Sequence, residues 1–311
     1  MTLSSAPAAT GGQVRARRGG RAGGASRSGK AGYAFVGGYV VLLVLFGIAP
    51  TGYAIYLALT TRTAHFAGVS NFTNTYNDFR FLPAFKHVAQ FMVIWLASQA
   101  VFVVGLALML HTMTRRLSSA FRFLFYLPGA LAGAASVLVW LFLLDPSVSP
   151  WHFVLSALGY SSLGQSILPA HLPLIFAFVA FWTGAGGWIV VMYGALATIP
   201  EEVLESARLD GAGAWRTAVR VKLPLIKKWV AYMVIGAFAA GSQLFVEPEL
   251  ISQATGSAVN QTWSPNQLAY YLSFRLDNFN YAAAISIDLL VAALICAAII
   301  LLRTGLFEAG H

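Results

Sequence analysis

At 311 residues the chain is 58% hydrophobic and only 10% charged, with a mean hydropathy of +0.70, whereas a soluble domain carries about 25% charged residues. Its +9 net charge comes without the aromatic interleaving of a nucleic-acid-binding face, so nucleic acid is excluded as a partner and membrane lipid is expected. One cysteine (Cys296, inside an apolar run) and six scattered histidines leave no disulfide, no thiolate metal site and no HExxH spacing. Residues 1–32 mix Ala, Gly, Ser and Arg and predict a disordered basic tail held near anionic lipid headgroups. The apolar run 33–59 is far longer than the 7–15 residues of a secretory signal and reads as an uncleaved first span. Further apolar stretches at 88–110, 121–144, 172–196, 229–246 and 282–302 each approach the length that crosses a bilayer, and 304–311 forms a short tail. They are continuously apolar rather than alternating, which argues against an outer-membrane barrel and for an all-α integral membrane protein of six transmembrane helices. The third and fourth stretches are rich in Gly and Ala, which lets helix backbones approach closely in lipid.

Orientation follows from the basic residues. With the N-terminus inside, only Arg62, Arg80, Lys86 and Arg275 of the 20 Lys and Arg fall on the outer face. Both termini and the polar loop 198–224 are then cytoplasmic. That loop opens with Pro200, Glu201 and Glu202, a helix start, continues with Val203, Leu204 and Ala207 on one stripe, and stops at Gly211. Glu205 paired with Arg208 in a solvated loop is the plain structural reading of this segment. No G-x-x-x-x-G-K-[ST] loop occurs, so ATP, if used, is bound by another chain.

The spacing within the loop is more specific. Glu205, Ala207, Gly211, nine residues, then Val221, Leu223 and Pro224 resemble the EAA loop of bacterial ABC importer permeases, E-A-A, three residues, G, nine residues, I-x-L-P. Ser206 and Val221 replace an alanine and the isoleucine, and Asp210, Gly211 and Ala212 match the D-G-A of the carbohydrate branch. Weaker likenesses lie at 66–72 (FAGVSNF), 243–251 (QLFVEPELI) and 280–286 (NYAAAIS, with Asn280 where the family has glycine). Together they cover most of 66–302, in an order that looks like the first permease of the pair in importers of the maltose and glycerol-3-phosphate type. The large extracellular insertion of the maltose version is absent.

The resemblance implies a six-helix permease domain over 33–303 with the fold of ABC importer permeases, in the bacterial plasma membrane. It implies a non-catalytic subunit with no cofactor of its own, ATP and Mg being held by a partner. It further implies a second homologous permease, an ATPase dimer and an extracytoplasmic solute-binding protein. Glu205, Ala207, Asp210, Gly211, Ala212, Leu223 and Pro224 would form the ATPase-coupling surface.

For the solute path, polar or aromatic groups at membrane depth are the candidates. Trp182 in the fourth stretch, Gln243 and Glu247 at the outer end of the fifth and Asp288 in the sixth suit the hydroxyls and C–H faces of a sugar. An ion-coupled secondary transporter using Asp288 is the alternative, although no internal repeat accompanies it. A membrane-embedded enzyme would need clustered His, Asp or Cys, and the sequence has none.

Overall fold

The computed structural model describes residues 36–131, 133–256 and 259–304. The tail expected at 1–32 lies outside them, as does all but the first residue of 304–311. Among the described residues the regular structure is helical, with one isolated antiparallel bridge between Thr60 and Phe66. Five helices are long and apolar enough to cross a membrane: α1 (Val36–Ala58), α3 (Phe81–Thr112), α7 (Pro169–Ala197), α9 (Ala214–Gly241) and α12 (Phe279–Thr304). The sixth crossing is a bent pair, α4 (Arg115–Leu131) and α5 (Ala134–Leu144), meeting at 99°. Shorter helices are α2 (Ser70–Tyr76), α6 (His152–Ala157), α8 (Glu201–Leu209), α10 (Val246–Thr255) and α11 (Pro265–Phe274).

Beside α3, which starts at Phe81 rather than 88, two stretches differ from the hydropathy reading, for different reasons. The third stretch, 121–144, reads as one span, but Pro128 gives no N–H to the preceding turn and Gly133 takes φ +75°, a conformation other residues rarely adopt. The helix therefore breaks between its arms. The fifth stretch reads as 229–246, yet its helix starts at Ala214, because Arg216, Arg220, Lys222, Lys227 and Lys228 lower the hydropathy of a backbone that is already helical. At its far end this helix stops at Gly241, and Val246 begins α10.

The chain divides at Gly52 into two compact units. In the first, the described residues belong to α1. They include a wide, π-type turn over Val44–Ile48, and Thr51 Oγ1 donates to Gly47 O at 2.8 Å. Large side chains such as Leu42, Leu45 and Phe46 are exposed there.

In the second unit α7 is central, packed on α3, α4 and α9, while α9 also packs on α12. Toward one end, Phe91, Met92 and Trp95 of α3 meet Phe176 of α7 and Ala237 of α9. Toward the other, Val103, Ala107 and Leu110 meet Ile189 and Met192 of α7 and Ile226 and Met233 of α9. Between these clusters α3 makes a second wide turn, Gln99–Val103. Phe102, Leu174, Phe178, Leu294 and Leu302 are exposed, the inverse of a soluble surface and the pattern a bilayer demands.

Glycines set the closest approaches. A Cβ on Gly186 would overlap the carbonyl oxygen of Phe125 and stand 2.7 Å from Tyr126 Cα, so α4 and α7 touch backbone to backbone. A Cβ on Gly241 would collide with Trp95 and Met92.

Two asparagines fasten the end of α1. Buried Asn71 donates through Nδ2 to Ala58 O and Thr60 O, both at 2.8 Å. Asn280, from the start of α12, donates to Leu57 O (3.0 Å) and Thr60 O (2.8 Å). A helix end leaves carbonyls without intrahelical partners, and these amides satisfy them. The asparagines of the 66–72 and 280–286 segments thus meet at one helix terminus.

Candidate functional site

The loop 198–224 folds as helix, sharp corner, helix. Pro200 sits at the N-cap of α8, and Glu201 and Glu202 occupy the first turn, where acidic groups favour the positive end of the helix. Leu204 and Ala207, three residues apart, are buried. Glu201, Glu202, Glu205, Arg208 and Asp210 are exposed, and Leu209 and Trp215 are 89% and 82% exposed. The helix buries a narrow stripe and presents a face that is acidic along its length and apolar at its end.

Its C-terminus explains the motif residue by residue. Ala212 N–H donates to Ala207 O and Gly211 N–H to Arg208 O, both at 3.0 Å, the paired bonds of a Schellman cap. Such a cap requires a left-handed residue at its centre, and Gly211 supplies it with φ +74° and no heavy atom within 4 Å of where a Cβ would stand. Asp210 and Ala212 flank that residue, and small Ala207 lies beneath the returning chain. Thr217 Oγ1 donates to Ala212 O at 3.3 Å, tying the corner to the start of α9. Leu223 is half-buried and Pro224 exposed, immediately after a third wide turn, Ala218–Lys222. Pro224 has no N–H to return to the preceding turn, which suits a helix that widens there.

Arg208 reaches Glu201 (3.7 Å) rather than Glu205, on side chains 68% and 65% exposed, a pair worth little in water. Leu209 and Trp215 were not among the residues singled out by the motif. Their only sequence signal is being large and apolar inside a charged stretch.

The four pathway candidates are dispersed. Trp182 is half-buried, edge-on to Trp140 with centroids 5.5 Å apart, and lines a groove of about 370 Å³ with Leu106, Phe125 and Gly186. Gln243 is exposed just beyond α9. Glu247 stands in the first turn of α10, and burial pushes its carboxyl above the usual range. Asp288 accepts a 2.8 Å hydrogen bond from the hydroxyl of Tyr76, and its Oδ2 is buried without a partner. Tyr76, which the sequence did not single out, has its phenol raised by this bond to Asp288 and by burial. Asp78 and Arg80 form a bidentate pair nearby in sequence, and Arg80's guanidinium lies 5.4 Å from the Tyr271 ring centroid. The described residues hold no cluster of three or more metal-binding side chains.

The family model for binding-protein-dependent transport system inner membrane components matches residues 85–307. The diacetylchitobiose uptake system permease protein NgcF of Streptomyces coelicolor is 27% identical over 299 residues, covering 89% of this chain and 83% of its own. The lactose transport system permease protein LacF of Rhizobium radiobacter is 26% identical, covering 85% and 91%. The sn-glycerol-3-phosphate transport system permease protein UgpA of Escherichia coli is 28% identical over 200 residues, covering 62% and 67%. Among solved structures, a chain of a bacterial alginate ABC transporter, in complex with an alginate-bound periplasmic protein, superposes with a TM-score of 0.74. It is 20% identical, with 88% of this chain and 93% of that one covered.

Proposed function

The chain belongs to the family of binding-protein-dependent transport system inner membrane components, and from that premise we propose that it lines half of the path for a sugar or sugar derivative in an ATP-driven importer. It is a multi-pass protein of the bacterial plasma membrane and a non-catalytic component. The cargo class rests on relatives that serve diacetylchitobiose, lactose and glycerol-3-phosphate. A second permease completes the path, an ATPase pair drives it, and a solute-binding protein delivers cargo from outside.

The observation that carries the coupling role is α8, a short helix rigidly cornered at Gly211 that exposes an acidic face with Leu209 and Trp215 beside it. Its place is in a cleft of the ATPase, on the cytoplasmic side. Glu205, Ala207, Asp210, Gly211, Ala212, Leu223 and Pro224 shape that contact. Closure of the motor on ATP displaces α8, and the six helices reorient from inward-open to outward-open. Trp182, Gln243, Glu247 and Asp288 are assigned to the solute path. The ion-coupled alternative draws no support from the family. The test is uptake of a labelled oligosaccharide panel into proteoliposomes holding the chain with all three partners. Uptake is expected only with ATP and all partners present. Transport by the chain alone would overturn the assignment.

A further inference from the structure

A buried ammonium joins the cornered loop to the second span. Lys222, the last residue of the Ala218–Lys222 turn, is 8% exposed, and Nζ donates to Nδ1 of His111 at 3.0 Å. His111 lies in the last turn of α3, 111 residues earlier in the chain. Its ring centroid is 5.8 Å from that of Tyr193 on α7, and the Arg122 guanidinium of α4 covers the same tyrosine at 3.9 Å. Lys222 makes no ion pair among the described residues, and Glu201 and Arg208 of α8 act on it only across a distance.

Burying an ammonium without a carboxylate is costly, and a side chain serving only to fill this place would be apolar like the buried Leu110, next to His111 in sequence, and Ile226, one turn beyond Lys222. The bond instead spans two segments that must move together if a displacement of α8 is to reach the spans. Thr217 fixes the corner to the first turn of α9, Lys222 sits one turn further on, and His111 anchors it to α3 beside α7.

We infer that the Lys222–His111 hydrogen bond is the positioning contact that passes a displacement of α8 to the second and fourth spans. This rests on the permease assignment above. Neither residue touches solute or nucleotide. Each acts through the helix it holds.

The test uses the assembled transporter in proteoliposomes and reads the ratio of solute taken up to ATP hydrolysed. His111→Phe keeps a ring but removes the acceptor, Lys222→Met keeps the length but removes the donor, and His111→Asn places an oxygen near where Nδ1 stood. The ratio is expected to fall about tenfold in His111→Phe and Lys222→Met, the size of one lost hydrogen bond to a charged group. It should return to within about twofold of the parent in His111→Asn, because the acceptor is restored. A merely structural role would not separate His111→Phe from His111→Asn in this ratio. If Lys222→Met fails to assemble, the two His111 variants still decide. Equal ratios in the parent and His111→Phe, or equal losses in His111→Asn and His111→Phe, overturn the inference while leaving the permease assignment standing. A parent complex that shows no ATP-driven uptake overturns both.

Discussion

Replacing Gly186 by alanine tests the contact on which the bent crossing depends. The added Cβ would overlap Phe125 O, stand 2.6 Å from the Phe125 carbonyl carbon and 2.7 Å from Tyr126 Cα. Ordinary contact begins near 3.4 Å, and the obstacle is backbone, so no rotamer change relieves it. The helices must part by about 1 Å, a form of overpacking that costs roughly 1–3 kcal/mol. Alanine returns up to about 1 kcal/mol of helix propensity. The net loss is about 1–2 kcal/mol, or roughly 1.5–3 °C in unfolding midpoint for a chain of 311 residues. The assay is thermal unfolding of the purified protein in one detergent, with Gly187→Ala and Gly194→Ala as controls, since neither would meet an atom within 4 Å. The controls should hold or rise. A Gly186→Ala midpoint equal to that of Gly187→Ala would refute the backbone contact between α4 and α7.

At Gly211, φ +74° costs any residue with a Cβ about 1–2 kcal/mol, so Gly211→Ala should lower ATP-driven uptake without preventing membrane insertion, and Gly211→Asn should lie between. Uptake and insertion are measured on the same vesicles. Asn71→Leu leaves Ala58 O without its side-chain donor and should cost about 1–3 kcal/mol, seen as faster hydrogen exchange over 57–60; Asn280→Leu should cost less, because Leu57 O keeps the Thr60 N–H at 3.2 Å and Thr60 O keeps Asn71. Asp78 is held below the usual carboxylate range, first by its side-chain bond to Arg80. A depressed value means this stability is complete above the unfolded carboxylate range near 4 and is lost as pH falls through the folded value. Asp78→Asn should therefore flatten the acid limb of a stability profile. Glu247 has the opposite sign: with its carboxyl raised by burial, its contribution is present below the unfolded range and lost as pH rises through the folded value. Glu247→Gln should then raise the unfolding midpoint at pH 8 and leave it unchanged at pH 4.

What the residue order discloses here is local chemistry. Pro200, two glutamates and Gly211 act within a few bonds of where they sit, so the limits of α8 can be read from them directly. The apolar stretches are equally plain, because membrane insertion is decided by summed transfer energies over about 20 residues. The start of α9 was hidden because hydropathy counts the charges of Arg216, Arg220 and Lys222 and is blind to the helix that bears them. Pro128 and Gly133 could be seen, but not that they would bend a crossing through 99°. The remaining gaps concern partners distant in sequence. Asn71 and Asn280 meet the same carbonyl from positions 209 residues apart, a separation implied by their bonds to Thr60. Nothing in the local pattern pairs Tyr76 with Asp288 or Lys222 with His111. Those choices are made by packing.

The wide turn at Gln99–Val103 divides α3 into two halves whose facing depends on a residue count. A turn of this kind holds one residue more than a regular helical turn, and each residue advances the helix by about 100°. The same residues wound as a regular helix would read no differently in hydropathy. Yet every side chain from 104 to 112 would then be swung by about 100° around the axis, and His111 would point away from the lysine whose Nζ donates to it. The extra residue held in this one turn therefore acts as an alignment setting for the half of α3 that carries His111.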